Sequence, residues 1–384
     1  MQYYSVIIIL TVLAMLVMLG QLGTSDIIEG NVRRGFRITF LLIIVTALME
    51  WAGVMLDGTP DVFCIPHAIV KAVELSLTPL IMVMWVYILG GWDRAKYAVP
   101  AVIIHGVLEV ISLFGGWIFY IADGNIYTHG PLYVLYYIAW VGAVIFLFFE
   151  IYRFSTRYQV KNSFNLILIA VFLMVGISFH IIRSAIRVDW LAAAMAFMMF
   201  YSFYMELALK MDSTTGLMNR RSYESRLASL KKDETVVMFD VDDFKIVNDV
   251  FGHKSGDEAL KLVADCIMGI YGKRGLCYRI GGDEFAVVMK KGQAETAISP
   301  EEEASIPEDY KLEGFQESTP VLRHMNFCFD ERIRELRKTK EFMPDVSLGY
   351  YRAGEDMTAA DTAAMADALM YANKRRRKAK KAGK

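Results

Sequence analysis

The chain has 384 residues, of which 55% are hydrophobic and only 9 are proline, with a formal net charge of −1. So much apolar sequence excludes a single water-soluble domain. The near-neutral total hides an asymmetry, because apolar residues concentrate before residue 210 and charged residues after it.

Seven stretches are about the ~20 residues that a helix needs to cross a bilayer: 3–19, 36–56, 69–89, 97–119, 132–152, 164–182 and 190–209. The third and fourth contain polar interruptions. The first lacks a basic leader and a small-residue cleavage site, so it reads as a retained helix, not a secretion signal. Arg33, Arg34 and Arg37 follow the first stretch, Arg94 and Lys96 the third, and Arg153, Arg157 and Lys161 the fifth. The alternate loops 57–66 and 122–131 contain neither Lys nor Arg. The excess of positive charge on cytoplasmic loops then predicts a multi-pass protein of the inner membrane, with its N-terminus outside and residue 210 onward in the cytoplasm. Arg183 and Arg187 dissent.

Ionisable residues inside a membrane are costly and default to functional candidates. Glu50, Lys71, Glu74, His105, Glu109 and His180 fall within or near the spans. They form either a buried site for an unidentified ligand or a structural polar network; Lys71 and Glu74, three residues apart, can neutralise each other. Trp51, Trp85, Trp117 and Trp140 near span ends read as interface belts. The four cysteines Cys64, Cys266, Cys277 and Cys328 show no metal-ligand spacing, and neither a disulfide nor a zinc site is expected. Residues 205–211 contain no Pro or Gly and continue the last span as a short helical stem, with no soluble sensor domain after it.

Past residue 210 the order is helix 222–230, strand 235–239, helix 257–269, two strands flanking 281–284, a polar excursion over 292–320, helix 321–338, strand 346–351 and helix 358–378. That alternation implies an α/β domain with one central sheet. Gly281-Gly282-Asp283-Glu284-Phe285 lies between two strand-like runs and reads as a hairpin turn. Its glycines are expected to supply positive φ and to let backbone approach a phosphate closely. The strand before Asp240-Val241-Asp242-Asp243-Phe244-Lys245 delivers a second group of acids. Acids from a strand end and a hairpin tip meeting at one point suit a magnesium–triphosphate site. The basic run from Lys374 to Lys384 reads as the solvated end of the last helix, so no nucleic-acid partner is expected.

Residues 240–260 (DVDDFKIVNDVFGHKSGDEAL) and 279–285 (RIGGDEF) resemble the two central signatures of the GGDEF family, the diguanylate cyclases. Asp212 with Thr215-Gly216-Leu217-Met218-Asn219-Arg220-Arg221, Val346-Ser347-Leu348-Gly349, and Ala366-Asp367 with Met370-Tyr371 and Lys374 are similar to further family motifs, in order, over residues 206–384. The resemblance implies a mainly antiparallel sheet flanked by helices, like nucleotide cyclases and the polymerase palm. The domain boundary is then 1–209 for the membrane sensor or anchor and 210–384 for the cyclase.

The resemblance also implies roles. Asp240, Asp283 and the Val241 carbonyl hold Mg2+, or Mn2+ in its place. Glu284 assists the metals, and either Asp283 or Glu284 helps deprotonate the attacking 3′-hydroxyl. Lys245 stabilises phosphate charge, since phosphoryl transfer depends chiefly on charge neutralisation. Asn248 and Asp257 read the guanine edge, Asp257 also serving as a helix N-cap. Lys374 and Lys378 face the triphosphate, with Gly281, Gly282 and Arg279 around it. Phe244 walls the pocket and His253, in a Gly-His turn, serves a structural or ribose-edge role. The reaction implied is condensation of two GTP into cyclic di-GMP with release of two pyrophosphates, across a homodimer. A degenerate nucleotide-binding module is the alternative; it would be expected to lack Asp240, Asp283 or Asn248.

The sequence departs from the family in three places. Thr214 stands where an apolar residue is usual, and Arg377-Lys378-Ala379 replaces a final Gly-Arg-Asn. Gly272-Lys273-Arg274-Gly275 occupies the place of the inhibitory Arg-x-x-Asp, so no product inhibition through that site is expected.

Overall fold

A computed structural model describes residues 2–24, 28, 30–157, 163–182, 187–295, 298–307, 310 and 319–382. Lys161, Arg183, the side chains of Arg157 and His180, and much of the 292–320 excursion lie outside the described residues. The chain divides into two compact units, Met1–Leu207 and Ala208–Lys384.

The first unit contains α1 (Gln2–Thr24), α2 (Gly30–Leu56), α3 (Cys64–Gly90), a short α4 (Trp92–Ala95), α5 (Val99–Gly115), strands β1 (Phe119–Ala122) and β2 (Ile126–His129), α6 (Val134–Arg157), α7 (Ser163–Ile182) and α8 (Asp189–Ala208). Among the described residues, 5 helices are long and apolar enough to cross a membrane; α5 and the 164–176 part of α7 are shorter apolar helices. The stretch 97–119 is helical only over α5: Gly116 turns left-handed (φ 64°) and stops the helix, and the distal end of the stretch becomes β1. β1 and β2 pair antiparallel around a loop in which Gly124 (φ 77°) and Asn125 (φ 56°) both take positive φ. Asn125 Nδ2 donates to Leu56 O (2.9 Å) and Thr59 Oγ1 (2.8 Å), fixing the hairpin to the end of α2.

Aromatic packing joins α2, α3 and α8. Phe40 meets Phe197 edge-on at 5.3 Å, and Trp85 lies 4.7 Å from Phe200. Trp85 is 1% exposed, so it is core and not an interface belt. Its ring fits a cluster that only tertiary contact creates. The opposite side of α1 leaves Ile9, Leu13, Leu16 and Val17 exposed, as a helix facing an apolar medium does.

The second unit contains α9 (Arg220–Leu227), β3 (Thr235–Val241), α10 (Phe244–Phe251), α11 (His253–Tyr271), β4 (Gly275–Arg279), β5 (Glu284–Met289), α12 (Pro300–Ala304), α13 (Pro320–Thr339), β6 (Val346–Arg352) and α14 (Ala359–Ala382). The sheet order is β4-β5-β3-β6, and every pairing is antiparallel. Side chains alternate across a strand. Val237, Phe239 and Val241 accordingly join α11 and α13, while Val236 and Met238 pack with Tyr223 of α9 and Ala366 and Met370 of α14. Both faces are covered, which explains why the central strands read as unbroken apolar runs.

Three expectations are corrected here. The helix of the stem ends at Ala208, and Met211 instead bridges to Met218. Residues 244–251 form a helix of their own. α11 begins at His253 after Gly252 (φ 82°), so His253 opens a helix and Asp257 lies inside it, not at its N-cap.

Candidate nucleotide and metal site

The central strand β3 carries its last two residues to the edge of the core. Asp240 stands opposite Glu284 of β5 and Ser347 of β6, and Val241 N–H donates to Asp283 O at 3.0 Å. The hairpin acids and the strand-end acid thus share one end of the sheet. Lys374 reaches in from α14 and pairs with the Asp240 carboxylate. Burial raises the pKa of Asp240; Lys374 pulls it back and Asp283 pushes it up, leaving it above the ordinary carboxylate value. Glu284 is raised as well, by partial burial and then by Asp283 and Asp240. Burial works against the charge of Lys374, but its bond to Asp240 and the field of Asp240, Asp242 and Asp283 outweigh it and raise its pKa.

Asp242 is buried away from this cluster: Ser347 Oγ donates to both its carboxylate oxygens (2.9 and 3.0 Å), a structural link between β3 and β6. The turn is held from inside. Arg279 donates to Gly281 O (3.2 Å), Gly282 O (2.8 Å) and Asp212 Oδ1 (3.0 Å). Arg279 therefore braces the turn. Asp212 also accepts from Thr215 N (2.8 Å) and Oγ1 (2.7 Å), so the opening motif of the domain buttresses the hairpin. Burial would raise the pKa of Asp212, but Thr215 and Arg279 hold it below the usual range. This second role of Asp212 was readable only as two distant motifs, each with a polar residue lacking an obvious partner.

Neither Gly281 nor Gly282 takes a positive φ, which corrects the expectation for that pair. Space is what they provide. A Cβ on Gly282 would meet nothing within 4 Å, whereas one on Gly281 would lie 2.5 Å from Glu284 Oε2. Gly282 thus leaves bare backbone facing open space beside the acids.

On the other side, α10 leaves directly from the end of β3. Gly256 lets α11 abut it: a Cβ there would collide with Asn248 Oδ1 and approach the Phe244 ring at 3.3 Å. Asn248 is half-buried against α11, while Lys245, His253 and Asp257 are exposed. Phe244 packs onto the core beneath them. Lys378 pairs with Asp243 at 2.7 Å. Arg377 anchors α14 to Asp330 at 3.0 Å and to Val346 O, so its place in the departing segment is structural.

No three His, Cys, Asp or Glu side chains among the described residues are gathered closely enough to hold a metal ion. The donors nonetheless suit a hard divalent cation. Asp240, Asp283 and Glu284 repel one another, as the raised Asp240 and Glu284 pKa values report, and Lys374 already offsets part of that charge.

The architecture is that of an α/β domain with acids at the end of a central antiparallel sheet. Residues 209–321 match the family model for "Diguanylate cyclase, GGDEF domain", and the second unit carries a GGDEF domain. The chain is 29% identical over 172 residues to diguanylate cyclase DgcN of Escherichia coli K12, covering 43% of this chain and 37% of that protein. It is 42% identical over 81 residues to cyclic di-GMP phosphodiesterase PdeB of Shewanella oneidensis, covering 20% of this chain and 10% of the relative. The chain thus spans well under half the length of these curated relatives. Among solved structures, the GGDEF domain of DgcB from Caulobacter crescentus in complex with c-di-GMP is 24% identical, with a TM-score of 0.32 over 43% of this chain and 90% of that one.

Proposed function

We propose that this chain is a membrane-embedded diguanylate cyclase that condenses two GTP into cyclic di-GMP. The observation that carries the reading is that Asp240, Asp283 and Glu284 share one end of the sheet beside the bare backbone of Gly282, inside a GGDEF domain.

Each domain binds one GTP. Asn248 and Asp257 hold the guanine edge, with His253 at the ribose and Phe244 as the wall. Lys245, Lys374 and Lys378 meet the triphosphate, for which Lys374 exchanges Asp240 for phosphate oxygens. Asp240, Asp283 and the Val241 carbonyl would hold Mg2+, or Mn2+ in its place, which supplies Lewis-acid neutralisation of phosphate charge when bound. The 3′-oxygen of one nucleotide attacks the α-phosphorus of the other, its proton leaves toward Asp283 or Glu284, and pyrophosphate departs. Two such displacements close the ring, so the working unit is a homodimer of face-to-face domains. Raised carboxyl pKa values bring Glu284 nearer to the range of a useful base.

The first unit is read as a seven-helix bundle in the inner membrane, N-terminus outside, placing the GGDEF domain with cytoplasmic GTP. The loop charges and the 5 helices of membrane length support this orientation. Signals from the bundle pass to the domain through the connection near Ala208. A second reading, a nucleotide-binding module without turnover, is favoured by the similarity over 81 residues to a protein named as a cyclic di-GMP phosphodiesterase. Incubating residues 206–384, dimerised by a fused zipper, with GTP and Mg2+ separates the two. Cyclic di-GMP that disappears in Asp283→Ala supports the cyclase; GTP bound without product supports the module.

A further inference from the structure

The first unit encloses a cavity of about 440 Å³ between α2, α3, α6 and α8, beneath the β1–β2 hairpin. That volume falls within the range of small-molecule sites, on the order of 300–1,000 Å³. Its walls are unusually polar for a helical bundle of this composition. Among the described residues, Glu50, Asp57, Glu74 and Asp189 line it against two side chains of fixed positive charge, Lys71 and Arg187.

The two cations are already engaged. Lys71 Nζ bonds Glu74 Oε2 at 2.8 Å and sits over the Tyr127 ring, 5.0 Å from its centroid. Its chain lies on Gly53, where a Cβ would stand 2.6 Å from Lys71 Cε. Arg187 stays 4.0 Å from Glu50 Oε1. Glu50 itself is 2% exposed; its Oε2 makes no hydrogen bond among the described residues, with the buried Tyr4 hydroxyl beside the carboxylate as the one donor that acts on it.

His67 adds a second acceptor of the same kind. Asn125 uses its amide NH2 on Leu56 O and Thr59 Oγ1, so its Oδ1 faces His67 Nδ1 at 3.0 Å. An acceptor there requires Nδ1 to carry a proton, and in the neutral ring Nε2 then offers a lone pair. His67 is fully buried, lines the cavity, and its Nε2 is likewise unpartnered among the described residues. Two buried acceptors, one a carboxylate that the single Tyr4 hydroxyl cannot saturate, are costly unless something supplies further donors. The remaining wall supplies ring faces from Tyr127, Tyr133, Tyr136, Tyr137 and Trp140. Aromatic faces beside a carboxylate attract cations, and the Lys71–Tyr127 contact shows this wall taking one.

We propose that this cavity is a binding site for a small organic molecule carrying a protonated primary amine, with Glu50 and His67 accepting its N–H groups and the tyrosine wall covering its carbon body. The site belongs to the first unit alone, so its occupancy is measured without reference to GTP turnover.

The test uses the full-length protein in nanodiscs, titrated by calorimetry with phenethylamine and with its neutral counterpart phenethyl alcohol. The expected result is saturable, one-to-one binding of the amine, at least about tenfold tighter than the alcohol, as one charge-assisted hydrogen bond implies. Glu50→Gln, which keeps the shape and removes the charge, should abolish most of that preference, and His67→Leu should weaken the amine alone. Equal binding of amine and alcohol overturns the proposal, as does no saturable binding of either. Phenylalanine binding at least tenfold tighter than phenethylamine overturns it in favour of a zwitterion site. If Glu50→Gln fails to fold, the contrast between amine and alcohol on the unmodified protein still decides.

Discussion

Replacing Gly349 with alanine puts a methyl group where α14 crosses β6. That Cβ would lie 2.5 Å from Ala366 O and 2.7 Å from Met370 Cα, and nearer still to Met370 N. All three are backbone atoms of a helix, so no side chain can turn aside. Ordinary contact begins near 3.4 Å, so α14 must retreat by about 1 Å. Ala366 and Met370 are 0% and 4% exposed and would lose close packing against Tyr223, Val236 and Met238. Overpacking of this kind costs about 3 kcal/mol. With an m-value of about 2 kcal/mol/M, the urea midpoint of the 208–384 unit should fall by about 1.5 M. The same retreat withdraws Lys374, one helical turn beyond Met370, from Asp240, so turnover should fall even in protein that remains folded. A midpoint within about 0.3 M of wild type would refute the packing of α14 on β6.

Gly282→Ala is the contrasting case: its Cβ meets open space, so stability should stay within about 0.5 kcal/mol while GTP turnover drops by tenfold or more, measured on the same sample. Arg279→Ala should loosen the turn and lower kcat more than it raises KM for GTP, since Arg279 holds backbone carbonyls; a pure KM effect would restore it as a substrate contact. Asn248→Ala should raise KM for GTP by about tenfold to a hundredfold if it reads the base, with ATP unaffected or favoured. The pH dependence has a definite sign. The folded pKa of Asp240 is raised, so the folded state binds that proton more tightly than the unfolded chain. Its contribution to stability is full below the unfolded value and is lost as pH rises through the folded one. In metal-free buffer the advantage of Asp240→Asn over wild type in urea unfolding should therefore grow as pH rises above the unfolded aspartate value of about 4.

Much of the second unit was legible because its chemistry is local. Strands β3 and β5 are unbroken apolar runs, and both acid groups sit at their ends, so the meeting of Asp240 with Glu284 follows from antiparallel pairing. α10 was missed because it has only eight residues, too few for a helical period to stand out. The bracing of the turn by Arg279 was not legible because Asp212, the partner that fixes it, is 67 positions away. In the first unit, composition gives helices but not their ends. Gly116 and the Gly124-Asn125 loop carried the signal for β1 and β2, yet the apolar run through Phe119 continued the helical pattern across it. Trp85 looked like a membrane-interface residue by position and proved to be core because α8 brings Phe197 and Phe200 to it.

The most direct measurement follows full-length protein in nanodiscs supplied with GTP and Mg2+, counting cyclic di-GMP and pyrophosphate together. The account predicts one cyclic di-GMP for every two pyrophosphates, lost on chelation of the metal and in Asp283→Ala. Pyrophosphate released without cyclic di-GMP, or GTP bound and left intact, would contradict it.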